Sequence, residues 1–285
     1  MRERIGLSPD GNTWTIKRFH GAIKVDNSLT GDTVVAYLDT ETTGLDYRTD
    51  KVIEIGIVVV KVNNQTGKIS EIVEEYSEFN DPEVPIPDLI IKLTGITDDM
   101  VAGKSINWET VNQILTNSDI VIAHNAKFDR AFIDPRVSIS SDRVWACSMS
   151  QVDWKTKGFS CRSLSHLCME HGFFYEGHRA VNDVKAALNL LAHHDTESKN
   201  PYFHELLTNC LQPELLVSAE GSPFETKDLL KKRGFRWNAL KKIWQKRISI
   251  SQKDDIQEFF DKYIYNHEGR GRFVEVSPKD RFKSE

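Results

Sequence analysis

Two carboxylates separated by a single residue follow an apolar run near the start of the chain. Residues 37–46 read YLDTETTGLD, and the β-branched, apolar run TVVAYL that leads into them predicts a buried strand. Side chains at positions i and i+2 of a strand point to the same face, so Asp39 and Glu41 are expected to lie side by side. Two like charges there repel each other, and burying either one alone is costly. A strong cation between the two carboxylates would remove that objection, and the rest of the chain must indicate whether one binds there.

Two later segments supply further acidic and titratable side chains. The segment VIAHNAKFDRAFI places Asp129 in a helix start after a second buried strand. The segment GHRAVNDVKAALNLL carries Asp183 in a predicted helix, with His178 just before it. At about 100° per residue, Asp183 falls on the flank of that helix, beside the apolar stripe, and need not be buried. His178 precedes the helix and can reach the same cleft.

The segments LDTETTGL, HNAKFD and HRAVND resemble, in order and spacing, the three motifs of the DEDDh group of 3′–5′ exonucleases. This group includes the epsilon-type proofreading subunit of bacterial DNA polymerase III and ribonuclease T, and the resemblance covers roughly residues 33–195. It implies a ribonuclease-H-like fold and a nuclease activity. By the same resemblance, His178 is the general base and the metal-binding carboxylates are Asp39, Glu41, Asp129 and Asp183.

The chemistry of these residue types agrees with that implication. A phosphodiester is repelled by a cluster of carboxylates, and two Mg²⁺ or Mn²⁺ ions would reverse the sign of the site. Carboxylate oxygens are hard ligands that suit these ions. Two ions about 3.5–4 Å apart lower the pKa of a bound water and stabilise the attacking and leaving oxygens of an in-line displacement. A histidine titrates near neutrality and can accept the proton of the water.

The roles within the cluster follow from the resemblance. We expect Asp39 to bridge both ions, with Glu41 and Asp183 on the side of the nucleophile. Asp129 would act partly through water. Candidate substrate contacts come from the residues after Glu41 and from the second motif, namely Thr42, Thr43, Gly44, Leu45, Asn125 and Phe128. Each motif alone has an ordinary explanation, such as a solvated strand end or a helix cap, but their joint occurrence in order outweighs these explanations.

The elements around the motifs predict a mixed α/β sheet. Three strands, VVAYLD, KVIEIGIVVVKVN and KISEIVEEYSEF, are joined by short connections, which favours antiparallel pairing. After them, helices such as NWETVNQILTN alternate with strands such as SDIVIAHN. Strands first and then strands alternating with helices predict a mixed α/β sheet that is flanked by helices. The resemblance implies that this sheet is ribonuclease-H-like.

Charge and composition divide the chain into segments. We expect residues 1–30 to be an N-terminal extension, 31–200 the exonuclease domain, 195–212 a join, 213–266 a small basic α+β module and 267–285 a flexible tail. Residues 31–200 carry 16 basic and 26 acidic side chains, a net charge of −10, whereas the residues after 200 carry +3. An acidic body followed by a basic unit suggests two functions on two parts of the chain.

The basic module has recognisable elements. The segment SPFETKDLLKKRGF predicts a helix with a capping box at Ser222, and FRWNALKKIWQKRISI predicts a hairpin. A second helix is expected to be capped by Ser251. Nine Lys or Arg residues and one acidic residue lie between positions 227 and 247. We expect Trp237 and Trp244 to fill the core of the module.

Clustered cations suit contacts with phosphates, so the module is a candidate nucleic-acid-binding unit. The candidate residues are Lys231, Lys232, Arg233, Arg236, Lys241, Lys242 and Lys246. The alternative is that these lysines and arginines simply form a solvated face.

The sequence therefore predicts a metal-dependent 3′–5′ exonuclease that releases nucleoside 5′-monophosphates. Its expected substrates are single strands or the 3′ ends of duplexes, with DNA favoured over RNA. The alternatives are an exoribonuclease that trims RNA, and a proofreading or binding subunit that acts within a polymerase or repair complex. No apolar run approaches the ~18 residues of a membrane span and no secretory signal is recognisable, so a cytoplasmic location is expected.

Overall fold

The computed structural model describes residues 6–194, 199–266 and 270–284. The chain divides into two compact units, Met1–Cys210 with Phe282–Glu285, and Leu211–Arg281. The strands are β1 (Lys17–Arg18), β2 (Thr33–Thr42), β3 (Val52–Val62), β4 (Ile69–Phe79), β5 (Ile120–Ala123), β6 (Val144–Cys147), β7 (Phe173–Phe174), β8 (Glu214–Ala219), β9 (Arg236–Asn238), β10 (Ile243–Ser249) and β11 (Arg272–Val276). The helices are α1 (Asp88–Thr94), α2 (Asp98–Val101), α3 (Trp108–Thr116), α4 (Ala126–Ile133), α5 (Leu164–Glu170), α6 (Ala180–Leu191), α7 (Tyr202–Leu211), α8 (Lys227–Lys232) and α9 (Lys253–Tyr263). Among the described residues, none of these helices has the length and apolar character that crossing a bilayer requires.

A five-stranded sheet forms the centre of the first unit. Its strand order is β4-β3-β2-β5-β6. The pairs β2–β3 and β3–β4 are antiparallel, whereas β2–β5 and β5–β6 are parallel. Ten of the eleven residues of β3 are buried, as expected for a central strand that is covered on both faces. The predicted mixed sheet flanked by helices is confirmed.

The alternation of side chains along β2 assigns its residues to the two faces of the sheet. Tyr37 packs into a cluster with residues of α5, α6 and α7. Leu38 packs into a second cluster with residues of α3 and α4. Because successive side chains alternate, Asp39 and Glu41 lie on the face of α6, and Thr40 lies on the face of α4.

The start of α6 lies directly against β3 at Gly56. A Cβ atom added to Gly56 would stand 2.4 Å from the backbone nitrogen of Val181 and 2.6 Å from the carbonyl carbon of Ala180. Gly56 is also the residue opposite Asp39 in the β2–β3 register. The missing side chain therefore allows the helix to approach the sheet, and Asp183 follows within the first turn of that helix.

The segment around residues 195–212 differs from the sequence-based expectation, and the N-terminal segment forms part of a small two-stranded sheet. Residues 195–212 were expected to join two domains, but Tyr202–Leu211 form α7, whose apolar side chains are buried in the core of the first unit. The spacing of Phe203, Leu206, Leu207 and Cys210 on one helical face explains this. In the N-terminal segment, β1 pairs in parallel with β7, and the backbone N–H of Phe19 donates to the carbonyl of Phe174 at 2.8 Å.

The second unit is a four-stranded antiparallel sheet in the order β11-β8-β10-β9. Leu230 of α8 and Phe260 of α9 pack on Leu215, Val217 and Ile248 of the sheet. The predicted β9–β10 hairpin is present. Residues 272–276, which were expected to belong to a flexible tail, form β11 instead, because they pair with residues 214–218 of β8.

The local expectations for this unit need three corrections. Ser222 does not cap a helix: a short 3₁₀ turn follows Pro223, and no side-chain cap is formed there. The capping box forms at Ser249 with Gln252, and not at Ser251, because a 3₁₀ turn precedes α9. Trp237 is not a core residue, since 51% of it is exposed at the edge strand β9, whereas Trp244 packs partly on the core.

Replacement of Gly56 by alanine tests the contact between α6 and the sheet. The added methyl group cannot be accommodated without displacing the helix backbone, so we expect the free energy of unfolding to fall by about 1–3 kcal/mol or more. Denaturant titration measures this change. Gly177→Ala is the matched control, because its added Cβ would meet its nearest neighbour, Tyr175, at 3.5 Å. Equal stability of the two variants would contradict the close approach at Gly56.

Candidate active site

Three of the predicted carboxylates come together at the carboxyl end of β2. One oxygen each of Asp39, Glu41 and Asp183 lie within 4.8 Å of one another. Asp39 and Glu41 share one face of β2, and the first turn of α6 brings Asp183 to them. All three side chains are partly buried. Oxygen ligands alone, in a group this compact, fit a hard divalent cation such as Mg²⁺ or Mn²⁺.

Burial and repulsion among the carboxylates dominate the electrostatics of this group. Burial raises the pKa of Glu41 to about 8, and repulsion by Asp183 and Glu54 adds to the effect. Burial also raises the pKa of Asp39 well above its usual range, with further contributions from Asp129 and Asp183. A bound cation would favour the ionised carboxylates and reverse both effects.

Asp129 lies outside the group of three carboxylates. It accepts hydrogen bonds from the backbone N–H of Thr40 at 3.0 Å and from the Thr40 hydroxyl at 2.9 Å. Burial raises the pKa of Asp129 to about 7, although the two bonds from Thr40 lower it. Because repulsion by Asp129 raises the pKa of Asp39, the two carboxylates are close enough to interact. Asp129 thus approaches the cluster from the α4 side of the sheet.

Asp183 is held by two hydrogen bonds. The phenol of Tyr175 donates to Oδ1 at 2.7 Å, and the backbone N–H of Arg179 donates to Oδ2 at 3.2 Å. Burial raises the pKa of Asp183, whereas these bonds and the charge of His178 lower it. Sequence reasoning did not identify Tyr175, although its position three residues before His178, in the same short segment, was an available signal.

Glu54 is a structural anchor for the start of α6. Its carboxylate is buried and stands opposite Glu41 in the β2–β3 register. Arg179 donates to it from Nη2 at 3.0 Å and from Nε at 3.2 Å, and the backbone N–H of Ala180 donates at 3.0 Å. Charge-assisted bonds of this kind at a helix N-terminus fix the position of the helix.

His178 lies in the short connection between β7 and α6, immediately before the helix. Its side chain is exposed, and its backbone φ is +63°, a left-handed conformation that is unfavourable for a residue with a Cβ atom. The charge of His178 lowers the pKa of Asp183, which places the imidazole within electrostatic range of the carboxylates. A left-handed backbone at a residue other than glycine costs about 1–3 kcal/mol, and residues strained in this way are typical of functional sites.

Among the candidate substrate residues after Glu41, Thr42 and Thr43 are buried, whereas Leu45 is exposed. The Thr42 hydroxyl donates to the carbonyl of Gly44 at 2.6 Å, and the Thr43 hydroxyl accepts from the N–H of Lys51 at 3.0 Å. Both threonine side chains are buried and shape the loop. Leu45, by contrast, is 85% exposed, so it is available to a ligand.

The second motif also combines exposed and structural residues. Asn125 precedes α4 without capping it through its side chain, and Phe128 packs against Phe132 with ring centroids 5.1 Å apart. His124 is bonded through Nδ1 to Ser148 at 2.8 Å, and burial lowers its pKa to about 4. His124 is therefore a neutral structural residue near the site.

Comparison with known proteins agrees with the geometry. A family model described as "Exonuclease" matches residues 36–191, and a model described as a domain of unknown function matches residues 215–258. The DNA polymerase III subunit epsilon of Treponema pallidum is 30% identical over 169 residues, which cover 55% of this chain and 75% of the relative. The PolC-type DNA polymerase III of Caldanaerobacter subterraneus is 40% identical over 180 residues, 57% of this chain.

The matched polymerases are much longer than this chain, which covers only 7–11% of the PolC-type relatives from four bacteria. Among solved structures, one of exonuclease I superimposes with a TM-score of 0.50 at 14% identity, covering 87% of this chain and 63% of that chain. At this identity the likeness concerns the fold, and it agrees with the ribonuclease-H-like sheet.

The pH dependence of stability tests the electrostatics of Glu41. Since its pKa is raised in the folded state, the stability associated with the neutral carboxyl is present below about pH 4.5 and is lost as the pH rises towards 8. In EDTA, we expect the melting temperature of Glu41→Gln minus that of the parent to increase between pH 5 and pH 8.5. The exposed control Glu109→Gln should show a constant difference. A constant difference for Glu41→Gln as well would mean that Glu41 ionises normally.

Proposed function

The chain belongs to the exonuclease family whose model matches residues 36–191, and we propose that it is a metal-dependent 3′–5′ exonuclease. Its products would be nucleoside 5′-monophosphates released from a polynucleotide 3′ end. The observation that carries the proposal is the convergence of Asp39, Glu41 and Asp183 within 4.8 Å of one another. A compact group of carboxylates repels a phosphodiester unless cations are bound, so the arrangement is suited to metal-assisted hydrolysis.

Two Mg²⁺ or Mn²⁺ ions would supply the positive charge that lowers the pKa of a water and stabilises the oxygens of the reacting phosphate. Asp39 would bind both ions, because it belongs to the compact group with Glu41 and Asp183 and also interacts electrostatically with Asp129. Glu41 and Asp183 would hold the ion next to the attacking water, and Asp129 would act partly through a water molecule. Tyr175 fixes the orientation of Asp183 by its hydrogen bond at 2.7 Å.

His178 would accept the proton of the attacking water. It lies at the entrance of α6, is exposed to solvent and is close enough to affect the pKa of Asp183. An exposed imidazole near neutrality can take a proton and return it to solvent. The left-handed backbone at His178 supports a functional role, because a helix can begin without this strained conformation.

The terminal nucleotide would lie against the loop after Glu41. The exposed side chain of Leu45 can pack on a base, Phe128 offers a second apolar contact, and Asn125 can position the end of the strand. Thr42, Thr43 and Gly44 would act by holding the shape of the loop. We propose DNA as the favoured substrate because the matched relatives are named as parts of DNA polymerases.

Digestion of end-labelled oligonucleotides tests the activity, the polarity and the sugar preference together. Single- and double-stranded DNA and RNA of matched sequence are incubated with Mg²⁺, Mn²⁺ or EDTA. We expect stepwise shortening from the 3′ end, faster on DNA, with no cleavage in EDTA. Cleavage that persists in EDTA, or shortening from the 5′ end, would refute the proposal, and faster digestion of RNA would refute the DNA preference.

Substitution of His178 separates proton transfer from metal binding. We expect His178→Ala to lower kcat by about 10²- to 10⁴-fold while the Mn²⁺ affinity stays within twofold of the parent. His178→Gly should lose the same activity but melt at a higher temperature than His178→Ala, because glycine adopts the positive φ without strain. Asp39→Ala serves as the comparison that loses both activity and Mn²⁺ binding. Loss of Mn²⁺ binding in His178→Ala would make the imidazole a ligand.

A proofreading role beside a polymerase is a second candidate, supported by the similarity to three quarters of the epsilon subunit of Treponema pallidum. Co-purification of the chain with a polymerase subunit from the source cells, and faster removal of mismatched than of matched 3′ ends, would support it. Equal rates on both ends and no association would leave a stand-alone exonuclease.

A further inference from the structure

The second unit carries a row of aromatic rings and lysines, in which Phe224 and Trp237 are exposed and Trp244 packs partly on the core. Phe224, in the 3₁₀ turn before α8, is 74% exposed, and the ammonium of Lys227 lies 3.8 Å from its ring centroid. Lys231 follows one helical turn later, on the same side of α8. Its ammonium lies 5.9 Å from the ring centroid of Trp244, whose ring is 5.5 Å from that of Trp237. These five residues are termed the aromatic–lysine row.

The row lies on the side of the sheet that α8 and α9 cover, at the edge strand. Trp237 of β9 stands directly opposite Trp244 of β10, so both indoles point to the same face. The core of the unit is built without Trp237, from residues such as Val217, Leu230 and Phe260. Half of the indole of Trp237 is therefore left exposed on a short edge strand, where a large apolar side chain is usually avoided.

Some of the basic residues in the segment serve the structure of the unit itself. Arg233 forms an ion pair with Asp255 at 2.5 Å, and Lys246 donates to the carbonyl of Arg233 at 2.8 Å. Arg236 precedes Trp237 in β9, so its side chain points to the opposite face. The hairpin loop that follows Trp237 carries Lys241 and Lys242, and both are exposed.

We infer that the aromatic–lysine row binds single-stranded nucleic acid. Exposed rings offer stacking surfaces for unpaired bases, and the neighbouring ammonium groups of Lys227 and Lys231 can contact the phosphates of a strand that runs past those rings. Nine basic residues against one acidic residue between positions 227 and 247 supply the required charge. An acidic protein partner would use the lysines but would gain little from the exposed rings of Phe224 and Trp237, so a polynucleotide fits the surface better. This assigns a ligand to residues 215–258, the region matched by a domain of unknown function.

Binding of labelled oligo-dT and oligo-U to the full chain, in EDTA and over a series of salt concentrations, tests the inference. We expect Trp237→Ala to weaken binding by roughly 5- to 150-fold and Trp237→Phe to retain most of the affinity. Lys231→Ala should weaken binding and reduce the slope of log Kd against log salt by about 0.7. Loss on either oligonucleotide supports the inference, and the comparison of the two identifies the preferred sugar.

Two residues of α9 provide matched controls. Tyr263 has the same exposed fraction as Trp237, 51%, and the ammonium of Lys262 lies 5.2 Å from its ring centroid. Tyr263→Ala and Lys262→Ala should therefore change binding by less than twofold. Unchanged affinity in Trp237→Ala would overturn the inference, as would an equal loss for inorganic polyphosphate, which has no bases. Because the measurement is made in EDTA without turnover, its outcome is independent of the nuclease proposal.

Discussion

Repulsion between the carboxylates of Asp39, Glu41 and Asp183 is the constraint that the first unit has to satisfy. Held within 4.8 Å of one another and partly buried, these groups oppose folding whenever they are ionised, as their raised pKa values indicate. Side chains on mobile loops would move apart under this force. Here β2 is fixed between β3 and β5, and α6 lies on the sheet without a gap at Gly56. A rigid framework therefore keeps the charges together so that a cation, when present, finds a preformed site.

The pair of Glu54 and Arg179 shows how that framework was built next to the acidic cluster. Glu54 of β3 stands opposite Glu41 of the neighbouring strand β2, and on its own it would add a further negative charge to the site. Bonds from Arg179 and from the N-terminus of α6 satisfy its carboxylate instead. An ion pair between a buried carboxylate and a partly exposed guanidinium contributes modest net stability, but it specifies geometry, since the bonds from Arg179 and Ala180 require one placement of the helix. The same residue that anchors α6 thereby sets the position of Asp183.

The sequence predicted what local periodicity and motif spacing encode. The alternation in β2 put Asp39 and Glu41 on one face, and the helical stripe of α6 placed Asp183 on its flank. The contacts that hold these side chains were not predictable in the same way, because they depend on how the chain folds back on itself and not on a repeating pattern. Tyr175 reaches Asp183 only after the connection before α6 folds back, and Thr40 meets Asp129 across 89 residues of sequence. At Ser222 and Ser249 the local signals were comparable, and the tertiary path of the chain decided which serine formed a capping box.

The two units meet the same electrostatic problem in different ways. A polynucleotide is repelled by the net charge of −10 carried by residues 31–200, so attraction has to be supplied locally. At the carboxylate cluster the distances are short and the side chains partly buried, and only ions of high charge density can reverse the sign. In the second unit the proposed contacts are exposed, so long lysine side chains and aromatic rings would bind the polynucleotide with an affinity that is sensitive to salt. In the proposed division of roles, the carboxylate cluster would bind metal and the basic unit would supply the attraction for the substrate.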